Sequence, residues 1–314
     1  MQKIKSKIFV LSVLFSANLF AQEDLLSLVD QKDDGPRKVY ATFKTTKIGN
    51  AQSIETVKNK HLDFKISHRF GNITDANQKN PINYSGQNFF GFDNASDIRF
   101  SFDYGLTENI TLGIGRSRMK HIIDGNIKWK ILQQTSDFRM PISLALFSST
   151  GYSHDPMKSI YGNIVKDFKS NELHRFNFFN QLIIACKIND MISMELLPSY
   201  MYRNYIIESI NSKNNAADQN GFFTLGIGGR IKISKRASIV GDYYYNFAKY
   251  YQNNSSVFMP LSLGYEVETG GHVFTLLFTN APGLIENNFI PYTSDTWTKG
   301  QVKFGFCISR TFAL

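Results

Sequence analysis

The last fifteen residues, GQVKFGFCISRTFAL, put Val302, Phe304, Phe306, Ile308 and Phe312 on one face and Gln301, Lys303, Gly305, Ser309 and Thr311 on the other. A strand alternates its faces with period two, so an apolar row backed by small or polar residues suits a strand with lipid outside and water or protein inside. The aromatic Phe312 near the terminus adds to that reading. Such a C-terminal strand is also where barrel-assembly machinery would engage the chain.

The opening MQKIKSKIFVLSVLFSANLFAQ carries Lys3, Lys5 and Lys7, an apolar run from Ile8 to Phe15, and small or apolar residues up to Ala21. This predicts a secretory signal peptide over 1–21, cut after Ala21. A spanning helix wants about 20 mostly apolar residues, and this run is shorter and interrupted by Ser12, Ser16 and Asn18. No later segment approaches that length. Export without a spanning helix, with 42% hydrophobic and 14% aromatic residues, leaves a secreted globular protein or a transmembrane barrel.

Residues 22–60 differ in character from the rest of the mature chain. QEDLLSLVDQKDDGPRK offers Leu25, Leu26, Leu28 and Val29 to one short helical face before Gly35-Pro36 ends it. The remainder reads as a strand pair around Gly49-Asn50. As an N-terminal segment it is expected to hang in the periplasm, with a lumen plug and an extra hairpin of the wall as the other placements.

From His61 the alternation is regular. HLDFKISHRF sets Leu62, Phe64, Ile66 and Phe70 against Asp63, Lys65, Ser67 and Arg69, and DIRFSFDYG sets Ile98, Phe100, Phe102 and Tyr104 against Asp97, Arg99, Ser101 and Asp103. A tight turn at 106–109 leads into ITLGIGRSR, with Ile110, Leu112 and Ile114 outward. Further strands are expected at 126–132, 141–150, 172–187, 191–205, 221–233, 237–248, 257–268, 271–281 and 300–314. The turns near 106–109, 133–140, 188–190, 234–236 and 269–270 are short, and the polar connections 71–96, 151–171, 206–220, 249–256 and 282–299 are long. Residues 61–314 therefore predict an all-β fold, a transmembrane antiparallel β-barrel of about 12 strands with short periplasmic turns and longer extracellular loops. Its place is the outer membrane, with membrane lipid around it.

The inward rows of this register collect Lys65, Arg69, Arg99, Arg116, Lys128, Lys130, Arg175, Lys187, Arg203, Arg230, Lys232 and Lys303 against Asp63, Asp97, Asp103, Glu195, Asp242, Glu266 and Glu268. As lumen-lining candidates they describe a charged interior leaning positive, and basic constrictions favour anions. The function expected is passage or binding of small anionic solutes through a narrow basic lumen. The competing reading is an interior packed with paired charges that conducts nothing.

Other chemistry has less support. The six histidines are dispersed, without an HExxH or His-x-His pair, so neither a metal nor a cofactor is expected. A hydrolase assembled at the outer rim around His68 or His154 is the enzyme alternative, since such sites depend on geometry and not on spacing; no GxSxG elbow is present. A structural barrel that docks a partner protein is the third reading. LGIGR (112–116) and LGIGGR (225–230) lack a third glycine and a following helix, so they read as inward glycines of strands. With signal residues removed, 32 basic residues face 26 acidic ones, a net +6 without basic runs, which gives nucleic-acid binding no basis. Cys186 points to lipid and Cys307 to the lumen, so no disulfide is expected. Tyrosines in SYMYRNY (199–205) and DYYYNFAKYYQ (242–252) are expected to form an outer aromatic girdle, carbohydrate stacking being the alternative. Asn180 and Arg310 fall on the lipid row and fit it poorly.

The ordered segments ATFKTTKIGNAQSIET (41–56), LDFKISHRFG (62–71), FFGFDNAS (89–96), LGIGRS (112–117), HVFTLLFTNAPGLIENNFIPYT (272–293) and FGFCISRTF (304–312) resemble domain-of-unknown-function family 5777, a family of outer-membrane β-barrels. The resemblance runs from about Val39 to the C-terminus. It implies the barrel and its location, includes ATFKTTKI in the domain, and carries over no catalytic or binding residues.

Overall fold

The computed structural model describes residues 37–157, 162, 164, 165 and 168–314. The signal peptide and the short helix expected near Leu25 lie outside the described residues. Within the compact unit Lys38–Leu314, a small hairpin, β1 (Lys47–Ile48) and β2 (Ala51–Gln52), precedes the wall strands β3 (His61–Asn72), β4 (Ala95–Gly105), β5 (Ile110–Ser117), β6 (Ile122–Leu132), β7 (Ser143–Ser153) and β8 (Phe176–Lys187). The wall continues with β9 (Ile192–Arg203), β10 (Gly221–Lys232), β11 (Ala237–Asn246), β12 (Leu261–Thr269), β13 (His272–Thr279) and β14 (Lys303–Ala313). Each strand pairs antiparallel with its sequence neighbour, and β14 pairs with β3 to close a twelve-stranded barrel. Closure removes the unpaired edges that hydrocarbon could not satisfy.

The alternation read from the sequence governs the wall. In β3 the buried positions are Asp63, Lys65 and Arg69, while Phe102, Leu112, Ile127, Leu146, Leu196, Leu263 and Phe278 on other strands stand exposed on the outside. Large apolar side chains exposed all round a closed sheet are destabilising in water and suited to a lipid belt. Arg310 fits at the turn end of its strand, where it meets His272 and lies over the Phe312 ring, within reach of the interface.

The interior is not hollow. Phe43, Ile48, Ala51 and Ile54 from the N-terminal segment are buried with wall residues Phe147, Phe179, Leu197, Met201 and Tyr244 in one core. Val57 N–H donates to Thr111 and Lys60 N–H to Gly105, so this segment enters at the end with short turns. From the opposite end the long connection after β13 also turns inward: its helix α1 (Glu286–Tyr292) is buried from Glu286 to Pro291. This corrects the expectation that 282–299 is a solvated loop. Leu284, Ile285, Phe289 and Ile290 give the segment an apolar content unlike that of a solvated loop.

The tyrosine girdle needs a similar correction. Tyr200, Tyr202 and Tyr245 face outward, but Tyr244 is fully buried, edge-on to Phe289 at 5.5 Å, and Tyr250 and Tyr251 are buried beneath the outer loops. In a strand, consecutive tyrosines must face opposite sides, so a run of them cannot all belong to the girdle.

Candidate functional site

The site is the lumen and the segments that occupy it. The β1–β2 turn places Gly49 in the left-handed region, φ 55°, and a Cβ there would collide with the Asp242 carboxylate, a combination only glycine tolerates. The next residue, Asn50, donates its backbone N–H to Asp242 Oδ2 at 2.9 Å and its amide to Thr279 at 3.3 Å, and its Oδ1 accepts from Arg69 Nη2 at 2.8 Å. Below the tip, Lys128 Nζ donates to three carbonyls of the same segment, Thr46 and Ser53 at 2.8 Å and Glu55 at 3.2 Å. A single ammonium thus ties together carbonyls from both arms of the hairpin, adding to the Ser53 N–H bond that Thr46 O already accepts.

The outer plug is held the same way. Asp97 accepts the backbone N–H groups of Met119 and Leu284; Asn287 and Asn288 reach Asn177 and Met119. Lys120 Nζ lies 3.2 Å from the Tyr292 ring centroid. Burial raises the Tyr292 phenol, but Lys120 and Arg203 outweigh it and hold the group below its ordinary value. The two plugs touch: Gln52 Nε2 donates to Glu286 Oε1 at 3.1 Å and Lys47 Nζ lies 3.5 Å from the same oxygen. Between plugs and wall the cavities are about 40 and 30 Å³, room for a water or two. The large space is a vestibule of about 1070 Å³ at the short-turn end, lined in part by Lys38, Lys44, Lys58, Glu55 and Glu108.

Of the lumen-lining candidates, Lys65, Arg69, Arg99, Lys128, Glu195, Arg203, Arg230, Asp242 and Lys303 are buried on inward rows. Asp103 is inward and bound to Lys65, Lys130 is inward and 3.8 Å from Glu55, and Lys232 is inward but half-exposed at the short-turn end of β10. Two positions need correction. Arg116 stands on the outward row of β5 with Leu112 and Ile114, exposed, as period two from Ile114 requires. Arg175 precedes β8 in a 3-10 turn at the rim, donating to the carbonyls of Ser153 and Asp155.

Pairing decides what these charges do. Lys65 joins Asp63 and Asp103, Arg99 is bidentate to Asp124, Arg203 meets Asp218 at 2.8 Å, Arg230 faces Glu266 at 3.7 Å, and Lys303 binds Asp295. Asp124, Asp218 and Asp295 are the partners that inward strand positions alone do not reveal, because Asp124 falls before the strand expected at 126–132, though it lies in β6, and the other two come from loops. Inward glycines make room for these groups, Gly115 beside the Arg99 guanidinium and Gly226 with its Cβ position 2.6 Å from the Tyr244 ring. Among the described residues, Glu195 stands apart: both carboxylate oxygens are buried without a hydrogen-bond partner.

The histidines sit at separate stations of the wall and rim, except that the His154 backbone N–H donates to His121 O at 3.2 Å. His68 is on the outward face between Phe70 and Phe306, and His154 packs edge-on against Tyr152. His121 Nδ1 pairs with Asp155 at 2.7 Å on the exposed rim.

A closed antiparallel barrel with an apolar outer belt and a charge-paired, occupied lumen defines an outer-membrane β-barrel of the plugged kind. The chain belongs to the membrane-bound beta barrel domain family DUF5777, whose model matches residues 43–312. The match begins at Phe43, so it takes in the β1–β2 plug. Among solved structures, the NanC porin aligns at 7% identity with a TM-score of 0.46, over 81% of this chain and 100% of its own. The KdgM porin, in complex with disordered oligogalacturonate, aligns at 8% identity and 0.44 over 81% and 99%, and LpxR from Salmonella typhimurium at 9% and 0.36 over 81% and 100%. No curated protein sequence matches the chain.

Proposed function

We propose that this barrel is a gated passage for small polar solutes, closed in the state described and opened by withdrawal of the β1–β2 plug toward the vestibule and of the outer plug it touches toward the opposite mouth. The observation that carries the reading is the chemistry of the plug seat. Asn50, Lys128, Lys47 and Gln52 bind through hydrogen bonds and an ion pair, contacts that water can replace as the segment moves, while Phe43, Ile48 and Ile54 supply the apolar burial that holds the closed state. At the wall mouth the segment is held by single bonds, such as Val39 N–H to Gln134 O and Thr56 to Glu108 O, and by the Lys44–Glu268 ion pair, and not by a continuous strand ladder. Paired lumen charges make the wall itself weakly selective, so the preference for anions is assigned to Lys38 and Lys58, exposed at the vestibule. Assembly through β14 follows from its place at the closing seam with β3.

The test is planar-bilayer conductance of residues 22–314 beside a deletion variant lacking both plug segments, 42–56 and 284–292. The expected result is a silent full-length barrel and steady conductance steps, with anion preference under a salt gradient, for the deletion. A folded deletion variant that stays silent would overturn the passage and leave a structural barrel.

A further inference from the structure

The wall itself carries a second site, on its lipid side and independent of the plug. Along β8 and β9 the register runs to Gln181↔Ser199 and resumes only at Ile184↔Leu196. Pro198 lies within the gap. Proline has no N–H to donate, so a ladder bond is lost at mid-strand, whereas the other register shifts of the wall, at Arg69/Phe70, Lys130/Leu132 and Lys303/Gly305, lie near strand ends. Beside the gap a groove of about 480 Å³ opens outward, walled by Trp129, Leu146, Leu182 and Phe223.

The groove floor is polar. Asn180, which fits the lipid row so poorly in sequence, keeps its outward register and is exposed there, accepting the Ser148 hydroxyl on Oδ1 at 2.8 Å. That bond occupies the carboxamide oxygen and leaves the two amide hydrogens for whatever lies in the groove. Asn180 is four residues inside the outer end of β8, about 13 Å along the strand, and pairs with Tyr200 of the outward-facing girdle, so a chain lying in the groove covers these hydrogens from interfacial water and must satisfy them itself. Trp129, Leu146, Leu182 and Phe223 stand on outward rows continuous with the lipid belt, while the buried Phe147, Gln181 and Ser199 close the groove from the inward rows, so its open side meets the membrane and the occupant is a lipid chain.

We infer that this groove binds one acyl chain of an outer-leaflet lipid, and that it selects a chain bearing a hydroxyl, which accepts from the Asn180 amide while its methylenes lie along Trp129 and Leu146. An unsubstituted chain fills the same volume but leaves the amide unpaired. The difference is one hydrogen bond, about fivefold in affinity.

Trp129 lines the groove, and the chain's other tryptophan, Trp297, donates its indole N–H to Leu261 O away from it. A Trp297→Phe barrel in detergent therefore reports on the groove by Trp129 emission alone. Titrated with stearate and with mid-chain hydroxystearate, it is expected to bind hydroxystearate about fivefold more tightly, with the preference lost in Asn180→Leu. Equal binding of the two chains, or no change in Trp129 emission with either, would overturn the proposal; both are read on the barrel with Asn180 intact, so the test stands even where the Asn180 variant fails to fold.

Discussion

Lys47 in the N-terminal hairpin and Glu286 in the helix of the last outer loop meet inside the lumen, 3.5 Å apart, although 239 positions separate their numbers. This contact joins a plug inserted from one end of the barrel to a plug inserted from the other. Charge reversal at either residue, Lys47→Glu or Glu286→Lys, is expected to loosen the hairpin, and the double reversal to restore it, with a coupling of about 1–3 kcal/mol. Hydrogen exchange of the amides from 43 to 54 reads this directly; additive single effects would show that the plugs are seated independently.

Lys128 is the clasp of the hairpin. Lys128→Met keeps most of the stem but removes the donor shared by three carbonyls, at a cost of about 1.5–3 kcal/mol. Because the acceptors belong to the plug, exchange protection should fall in 45–55 before the wall strands unfold. Loss of protection in the wall at the same denaturant would instead make Lys128 a residue of the barrel's own stability.

The wall is legible in the sequence because its signal is local. Alternation in ten-residue segments and the short-long rhythm of connections mark twelve strands at nearly the observed positions, since each inward or outward choice is set by the neighbour two residues away. What fills the barrel is not legible in the same way. A two-residue strand such as Lys47–Ile48 has no periodicity to detect, and whether it stays outside or enters depends on Asp242, Thr279 and Arg69, more than a hundred positions away for the first two. The apolar residues of 284–290 do carry a signal, which loop length and the expectation of an extracellular side conceal. Charge pairing is hidden for the same reason: a count of strand positions overlooks the carboxylates that loops bring inside.

Arg99 and Arg116 separate these two kinds of information. Both are lumen candidates by sequence, yet Arg99 is bidentate to Asp124 in the interior while Arg116 is exposed outside. Arg99→Ala leaves Asp124 buried without its cation and should destabilise the barrel by about 3–5 kcal/mol. Arg116→Ala should change stability by no more than about 0.5 kcal/mol and leave the conductance of the plug-deleted barrel unaltered. Urea unfolding in lipid vesicles measures the first and bilayer recording the second; a selectivity change from Arg116 would contradict its outward placement.

Glu195 gives the opposite sign. Its carboxylate is 3% exposed, opposite Gly228, with neither oxygen hydrogen-bonded. Burying an ion without a partner opposes folding, and the nearby Lys128 ammonium is already committed to three carbonyls. Glu195→Gln preserves shape and removes the charge, so it should leave stability unchanged or raise it by about 1–3 kcal/mol, whereas Glu195→Ala also empties space and gains less. A barrel made less stable by Glu195→Gln would mean that the carboxylate draws Lys128 toward itself and that the clasp on the hairpin is shared between them, in which case the same substitution should also change the exchange protection of residues 45–55.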